Sequence, residues 1–311
     1  MPLKCRPYAN EADIWRIRAF LRETYLLNDR RELNWQVYRF DYWRRHVNAN
    51  LEKMRLEEVV FLWETADGRI AAVLNPDGRG DAVLQIHPAW ASSDLQAEMV
   101  AAAGERLARA NEDGTRTVIV WTDSRDQARR AHLERCGYTR GDWPEFQRRR
   151  SLAVPIPAAV LPDGYTIHPL EDGLELLERC YASGLAFHPD EIEIALENRA
   201  DVSWYRNIQA APLYRRDLDL VCLAPGGEVA AFATIWFDDV TRTGSFEPVG
   251  TVPAHQRRGL GKAVMLAGLA RLAEIGATLA TVGSYSEAAG GLYASAGFTE
   301  YDLSEPWIKN W

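Results

Sequence analysis

Two consecutive α/β units of mixed sheet and helix are what this sequence predicts, and three observations predict them. The chain has 311 residues, about twice an ordinary domain. Its halves repeat one plan at low similarity, in the same order of strand, helix and turn signals. The later half also carries, from Val249 to Lys262, a strand that runs through a glycine-bearing turn into a helix N-terminus.

Each half opens on a short strand turning into a helix: Lys4-Cys5-Arg6-Pro7-Tyr8 in one, Thr166-Ile167-His168-Pro169-Leu170 in the other. Trp35, Tyr38, Tyr42 and His46 then recur at helical spacing, an aromatic stripe expected to pack in the core, with the lining of a substrate cleft as the other reading. Val83-Leu84-Gln85-Ile86-His87-Pro88 corresponds to Pro248-Val249-Gly250-Thr251-Val252-Pro253, and Cys136-Gly137-Tyr138 to Ala296-Gly297-Phe298. Between the halves, the stretch from Leu152 to Gly164 is rich in proline and ends in a turn signal, which suits a stiff link. The expected boundaries are 1–150, a linker at 151–164, and 165–311. The run Arg148-Arg149-Arg150 is expected to be a solvated strand end or the edge of that linker.

The chemistry concentrates in the second half. Phe246 to Val252 is mostly apolar and β-branched, Pro253 ends it, and Ala263 to Ile275 shows helical spacing through Met265, Leu269, Leu272 and Ile275. Gly259 and Gly261 fall where the backbone turns into that helix. Without Cβ atoms they let amide N–H groups approach an anion closely, and the unpaired donors and positive dipole end of the helix favour a diphosphate there. The segment that would hold it is Gln256, Arg257, Arg258, Gly259, Leu260, Gly261 and Lys262. A Walker A loop is excluded because Gly261-Lys262 is followed by Ala263, and a dinucleotide fingerprint because no third glycine follows at the required spacing.

The order strand, Gln-x-x-Gly-x-Gly, helix resembles motif A of the GCN5-related N-acetyltransferases, the GNAT superfamily, whose members bind the pyrophosphate of acetyl-CoA there. The following segments are similar to the same family in order: an apolar run from Thr278 to Val282, a polar Ser284-Tyr285-Ser286-Glu287, a short helix from Ala288 to Ala294, and Gly297-Phe298. Leu292-Tyr293-Ala294-Ser295-Ala296-Gly297-Phe298 matches the family's closing Leu-Tyr-x-x-x-Gly-Phe. The resemblance implies that each half is a mostly antiparallel central sheet with a splayed parallel strand pair and flanking helices. It implies that Tyr293 is the general acid and that Val249, Gly250 and Thr251 hold pantetheine and the thioester oxygen through their backbone. Ser286 stands where the family commonly has asparagine, and its hydroxyl can still donate a hydrogen bond to the CoA arm. For the general base, Glu247 lies two residues before Val249, which strand alternation places on one sheet face; His188, Asp238 and Asp239 are competitors. The tandem arrangement with one degenerate half also resembles, in architecture, that of the mycothiol synthases.

The first half lacks these features. No glycine follows Pro88; Ser93 and Gln96 there form the pattern of a capping box, which satisfies the donors a pyrophosphate would use. Leu133 occupies the place of Tyr293, and the adjacent His132 points about 100° away on a helix. This half is therefore read as a degenerate unit that supports or shapes the site without containing one.

Composition narrows the function. No apolar run approaches the length of a membrane span, and the start of the chain lacks a secretory apolar region, so a cytoplasmic protein is expected with no membrane partner. A formal net charge of −8 argues against nucleic acid as a partner. Four cysteines, Cys5, Cys136, Cys180 and Cys222, lack paired spacing and are expected to be buried reduced thiols, with no metal site. The expected function is acetyl-CoA-dependent N-acetylation of a primary amine on a small molecule, by direct attack in a ternary complex, in a monomer or homodimer. A protein or peptide amine acceptor and a non-catalytic acyl-CoA sensor are the alternatives.

Overall fold

A computed structural model describes residues 3–311. It divides the chain into two compact units: one runs through Phe146 and takes in Asp302–Trp311, the other is Gln147–Tyr301. Both ends of the second half thus differ from the sequence boundaries. The last ten residues belong to the first unit, and the stretch expected to be a linker belongs to the second.

In the first unit the elements are β1 (Lys4–Pro7), α1 (Glu11–Leu27), α2 (Val37–Tyr42), α3 (Leu56–Val59), β2 (Phe61–Glu64), β3 (Ile70–Asn75), β4 (Asp81–Ile86), α4 (Ser93–Arg106), β5 (Arg109–Ala110), β6 (Arg116–Asp123), α5 (Gln127–Arg135) and β7 (Thr139–Arg140). The aromatic stripe begins outside regular helix: Trp35 precedes α2, and past Tyr42 the helix widens to a π-helix over Trp43–Glu52. Trp35 and Tyr38 are buried, as expected of core residues, while Tyr42 and His46 stack with ring centroids 5.0 Å apart. The sheet order is β1-β2-β3-β4-β6, and then the chain's last strand, β14 (Glu300–Asn310), whose Ser304–Asn310 pair antiparallel with β6. All these pairs are antiparallel except β4 with β6, which run parallel. That parallel pairing covers only Asp81–Val83 against Ile119–Trp121, although both strands continue, so the pair opens into a V. Phe61, Trp63, Leu84, Met99, Val120 and Leu133 fill the core between sheet and helices.

The second unit repeats the plan with β8 (Glu145–Ser151, in this unit from Gln147), β9 (Thr166–Pro169), α6 (Leu174–Phe187), α7 (Ile192–Ala200), α8 (Ser203–Gln209), β10 (Asp219–Leu223), β11 (Val229–Asp238), β12 (Thr243–Thr251), α9 (Leu260–Glu274), β13 (Leu279–Ser284) and α10 (Glu287–Ser295). Its sheet order is β8-β13-β12-β11-β10-β9. β12 and β13 pair in parallel over Thr243–Phe246 and Leu279–Val282, then separate into a second V. Mixed, mostly antiparallel sheets with one splayed parallel pair and flanking helices are what the resemblance implied, and both units have them.

Two sequence expectations need correction here. Leu152, Ile156 and Leu161 pack against the second unit's core, so the proline-rich stretch expected to be a stiff link is a strap closed down on that unit by apolar burial. The arginine run is not solvated: Arg149 and Arg150 are buried in β8. Arg150 donates from Nη1 to the carbonyl of Ala296 at 2.8 Å, where α10 ends, and from Nη2 to the carbonyl of Pro155 in the strap at 2.7 Å. One guanidinium therefore satisfies a helix C-terminal carbonyl and the strap together. Of the cysteines, Cys180 and Cys222 are buried, and burial pushes their thiols up to about 12 and about 11; Cys5 and Cys136 are only half-buried.

Candidate active site

The glycine turn takes the geometry its sequence calls for. A short 3-10 turn at Pro253–His255 follows β12, and α9 begins after Gly259, whose φ of +82° is left-handed. A residue with a Cβ is strained there, and a Cβ built on Gly259 meets nothing within 4 Å, so this glycine is required by backbone conformation and not by crowding. Arg257 also has positive φ, at 62°, uncommon for a side-chain-bearing residue. No side chain caps α9 and no acidic residue stands in its first turn, so the amides of Leu260, Gly261 and Lys262 are available to an anion. Gly261 has a different reason from the one expected. A Cβ there would lie 3.0 Å from Thr251 Oγ1 and 3.2 Å from Leu292 Cδ2, so its absence seats α9 against β12 and α10.

A cavity of about 750 Å³ opens at the mouth of the V. Its walls are the end of β12 (Val249, Gly250, Thr251), the turn and first helical residues (Gln256, Arg257, Gly259, Leu260, Gly261, Lys262) and the start of α10 from Ser286 to Tyr293. Every predicted cofactor-contact residue is on that wall except Arg258. The Arg258 guanidinium instead lies 3.2 Å from the Tyr165 hydroxyl, which also meets His255 Nδ1 at 3.0 Å. Ser286 reaches the cavity while its Oγ caps α10, accepting from the amide of Ala289 at 3.2 Å. Ala186 and Phe187, at the end of α6, complete the wall and were not foreseen, since neither falls in a motif. Phe187 packs edge-on to Phe232 at 6.0 Å, and Phe232 lies where a Gly250 Cβ would be, 2.2 Å from its Cζ; Gly250 is glycine to admit that ring.

Tyr293 is buried on α10, belongs to the second unit's core and is one of the residues lining the cavity. Burial pushes its phenol well above the ordinary value, and the nearby Glu247 carboxylate adds to the effect. The group therefore keeps its proton across neutral and mildly alkaline pH, a requirement for a donor. Its helix ends in a turn held by Phe298 N donating to Tyr293 O at 3.0 Å, with Gly297 at φ +93° and the Arg150 contact behind it.

Glu247 acts on Tyr293 through its charge and is not among the residues lining the cavity, and its side is not set by simple strand alternation. Ile235 pairs with Phe246 and Ala233 with Val249, so Thr234 alone spans both Glu247 and Pro248, which are joined by a cis peptide bond. This bulge shifts the alternation by one residue, and a shared face for Glu247 and Val249 no longer follows from their spacing. The bulge is held on both sides: the Trp236 indole donates to the Glu247 carbonyl at 2.6 Å, and Thr234 donates to buried Asp219 at 3.1 Å, a carboxylate that also accepts from the Tyr205 and Tyr214 hydroxyls. Among the competing bases, Asp238 caps the turn after β11 by accepting from Thr241 N, and Asp239 is exposed in that turn. That turn precedes Thr243, the far end of β12 from Val249, on the order of 20 Å away at ~3.3 Å per strand residue, which removes both aspartates. His188 follows Phe187 but is exposed, with its Nδ1 3.7 Å from the Glu191 carboxylate.

In the first unit the backbone groups at the same position are already paired. Pro88–Trp90 form a matching 3-10 turn, but α4 is capped by Ser92, whose Oγ accepts from Leu95 N at 3.2 Å. The cap lies one residue earlier than expected, so the Ser93–Gln96 capping box does not form; the consequence for the helix donors is the same. Inside the V, the Asn34 side chain donates to the carbonyl of Ile86 at 3.0 Å and accepts from its amide at 2.9 Å. Leu133 is fully buried in the core.

These features agree with comparisons against known proteins. The Acetyltransferase (GNAT) family profile matches residues 175–298. The chain is 30% identical over 240 residues to a mycothiol acetyltransferase of Kocuria rhizophila, covering 68% of this chain and 75% of that one. It is 27% identical over 255 residues to the mycothiol acetyltransferase of Pseudarthrobacter chlorophenolicus, covering 76% and 72%. Among solved structures it is similar in fold to a GCN5-related N-acetyltransferase from Sphaerobacter thermophilus (TM-score 0.65, 19% identity, 99% of this chain and 95% of that one) and to a tandem GNAT protein from the clavulanic acid biosynthesis pathway (TM-score 0.65, 16% identity, 99% and 98%). The chain belongs to the GNAT acetyltransferase family, as a tandem protein.

Proposed function

We propose that this N-acetyltransferase moves the acetyl group of acetyl-CoA onto a primary amine of a small molecule, by direct attack with both substrates bound. The observation that carries this reading is one cavity lined by an uncapped helix N-terminus at one side and by Tyr293 at the other. The diphosphate is held by the amides from Gln256 to Lys262, and pantetheine runs along the edge of β12 that β13 leaves unpaired past Phe246. Amides of Val249 to Thr251 polarise the thioester carbonyl. Glu247 takes a proton from the ammonium, directly or through water, and the neutral amine attacks the carbonyl carbon. As the C–S bond breaks, the thiolate takes the Tyr293 proton, and the phenolate so formed takes back the proton that the acetylated nitrogen loses as it becomes the amide. A thiol with pKa near 8.5 leaves readily, so the tyrosine contributes at the lower part of the roughly 10²- to 10⁴-fold range of general acids.

A small acceptor is favoured over a protein amine because the relatives named above carry the name of mycothiol acetyltransferases. A non-catalytic sensor is disfavoured by Tyr293 being kept beside the loop where a sensor would need only the loop. The reading places the reaction in the cytoplasm and needs no metal. Release of free thiol from acetyl-CoA is to be measured across a panel of small amines and basic peptides. Acceptor-dependent release with small amines supports the reading; tight acetyl-CoA binding with no turnover supports a sensor, and turnover confined to peptides supports the protein acceptor.

A further inference from the structure

We propose that the first unit, having lost the family's CoA loop, carries a separate binding site for a small carboxylate with a short apolar body, centred on Arg129. A cavity of about 520 Å³, within the range of small-molecule sites, lies at the mouth of its own V. Arg129 lines it and is 93% buried by its exposure of 7%, yet among the described residues its Nε–H has no hydrogen-bond partner. Asp126 stands 3.3 Å from Arg129 Nε, close enough to offset the charge, but out of line with the N–H. Asp126 Oδ1 accepts from Arg129 N at 2.9 Å as the cap of α5, and it is Oδ2 that faces the guanidinium at 3.3 Å. A buried guanidinium has five N–H donors in a fixed fork and strongly favours an acceptor that presents two oxygens in a plane.

The other charges on the wall are already matched. Asp123 accepts from Arg125 at its amide (2.8 Å), Nε (2.9 Å) and Nη2 (2.8 Å). Leu33, Ile86, Pro88 and Ala91 supply an apolar wall, which suits a short hydrocarbon body and gives a bare phosphate nothing to bury. Acetyl-CoA is not the ligand this cavity fits: Ser92 caps the adjacent helix, and Asn34 takes the Ile86 amide and carbonyl that a pantetheine arm would need.

The test uses the full chain and calorimetry with butyrate, butyramide and inorganic phosphate as probes, and acetyl-CoA as the control for the second unit. Butyrate should bind once per chain. Arg129→Met should weaken it about tenfold or more, as should Ala91→Trp, which fills the cavity from the opposite wall and leaves Arg129 in place if the first change disturbs folding. Acetyl-CoA affinity should stay within about twofold in both variants, because neither residue touches the second unit's cavity. No butyrate binding, equal binding of butyramide, binding of phosphate in preference to butyrate, or butyrate affinity unchanged in either variant overturns the proposal.

Discussion

The two V-shaped openings of this molecule begin alike and end differently. Each follows a parallel strand pair that separates after a few residues, a proline-started 3-10 turn, and a helix whose C-terminal turn closes with the same hydrogen bond: Tyr138 N to Leu133 O in the first unit, Phe298 N to Tyr293 O in the second, both at 3.0 Å. In the first V a cavity remains, but the backbone groups that would hold acetyl-CoA are taken from within, by Asn34 on Ile86 and Ser92 on the helix donors. In the second, the equivalent donors meet a left-handed glycine and an open cavity. A binding site in this fold is thus a set of backbone groups left without internal partners, and a degenerate copy is stable because side chains supply the partners.

The sharpest way to break the comparison is to spoil the open side. Gly259→Val forces a β-branched residue into left-handed backbone and should weaken acetyl-CoA binding by about a hundredfold or more, read by calorimetry. Retained affinity would mean that the turn does not hold the diphosphate. Tyr293→Phe keeps the ring and removes the hydroxyl, so kcat should fall about ten- to a thousandfold with acetyl-CoA affinity little changed. The counterpart change in the first unit, Leu133→Ala, should leave kcat nearly intact and cost about 2–5 kcal/mol of stability as a core cavity.

Freeing the paired backbone groups is the next test. Asn34→Ala leaves the Ile86 amide and carbonyl without their partner and should lower stability by about 1–3 kcal/mol in denaturant titration. Acetyl-CoA stoichiometry should stay at one per chain, because the glycine turn is still missing; a stoichiometry near two would show that the asparagine alone excludes the ligand. The pH profile distinguishes the two units through one group. Since burial and Glu247 raise the Tyr293 phenol, the protonated form persists as pH climbs past the ordinary tyrosine value, and kcat in wild type should show no loss attributable to a tyrosine near pH ~10. An alkaline limb there that vanishes in Tyr293→Phe would contradict the raised phenol. The smallest effect is expected for Arg258→Ala, about threefold or less on the acetyl-CoA KM, because its guanidinium is turned to Tyr165.

What the sequence revealed about this site is the part made by neighbours in the chain. Gly259 and the helix after it, Tyr293 with Gly297-Phe298, and the lack of both in the first unit are local patterns, and local patterns are legible. The missed contributions come from residues far apart in sequence. Arg150 holds the end of α10 across 146 positions, and Asn34 closes Ile86 across 52. An arginine run and a lone asparagine carry no signal of such partners. The bulge at Glu247-Pro248 defeated the alternation argument because the shift is set by pairing with Ala233 and Ile235 on another strand. Arg258 shows a further limit: motif position predicts that a backbone amide serves the loop, but not where a long side chain turns.

The membership of Asp302–Trp311 in the first unit bears on how the protein is made. The partner strand for β6 leaves the ribosome only after all of Gln147–Tyr301, so the growing chain exposes the Thr117–Asp123 edge of an incomplete sheet throughout synthesis of the second unit. Seven residues of pairing, and Trp307 in the core, arrive last. Vectorial folding of the first half as an independent body is therefore unavailable to this chain: chains released before residue 302 should keep a protease-sensitive first unit, while release beyond Asn310 should protect it in a single step.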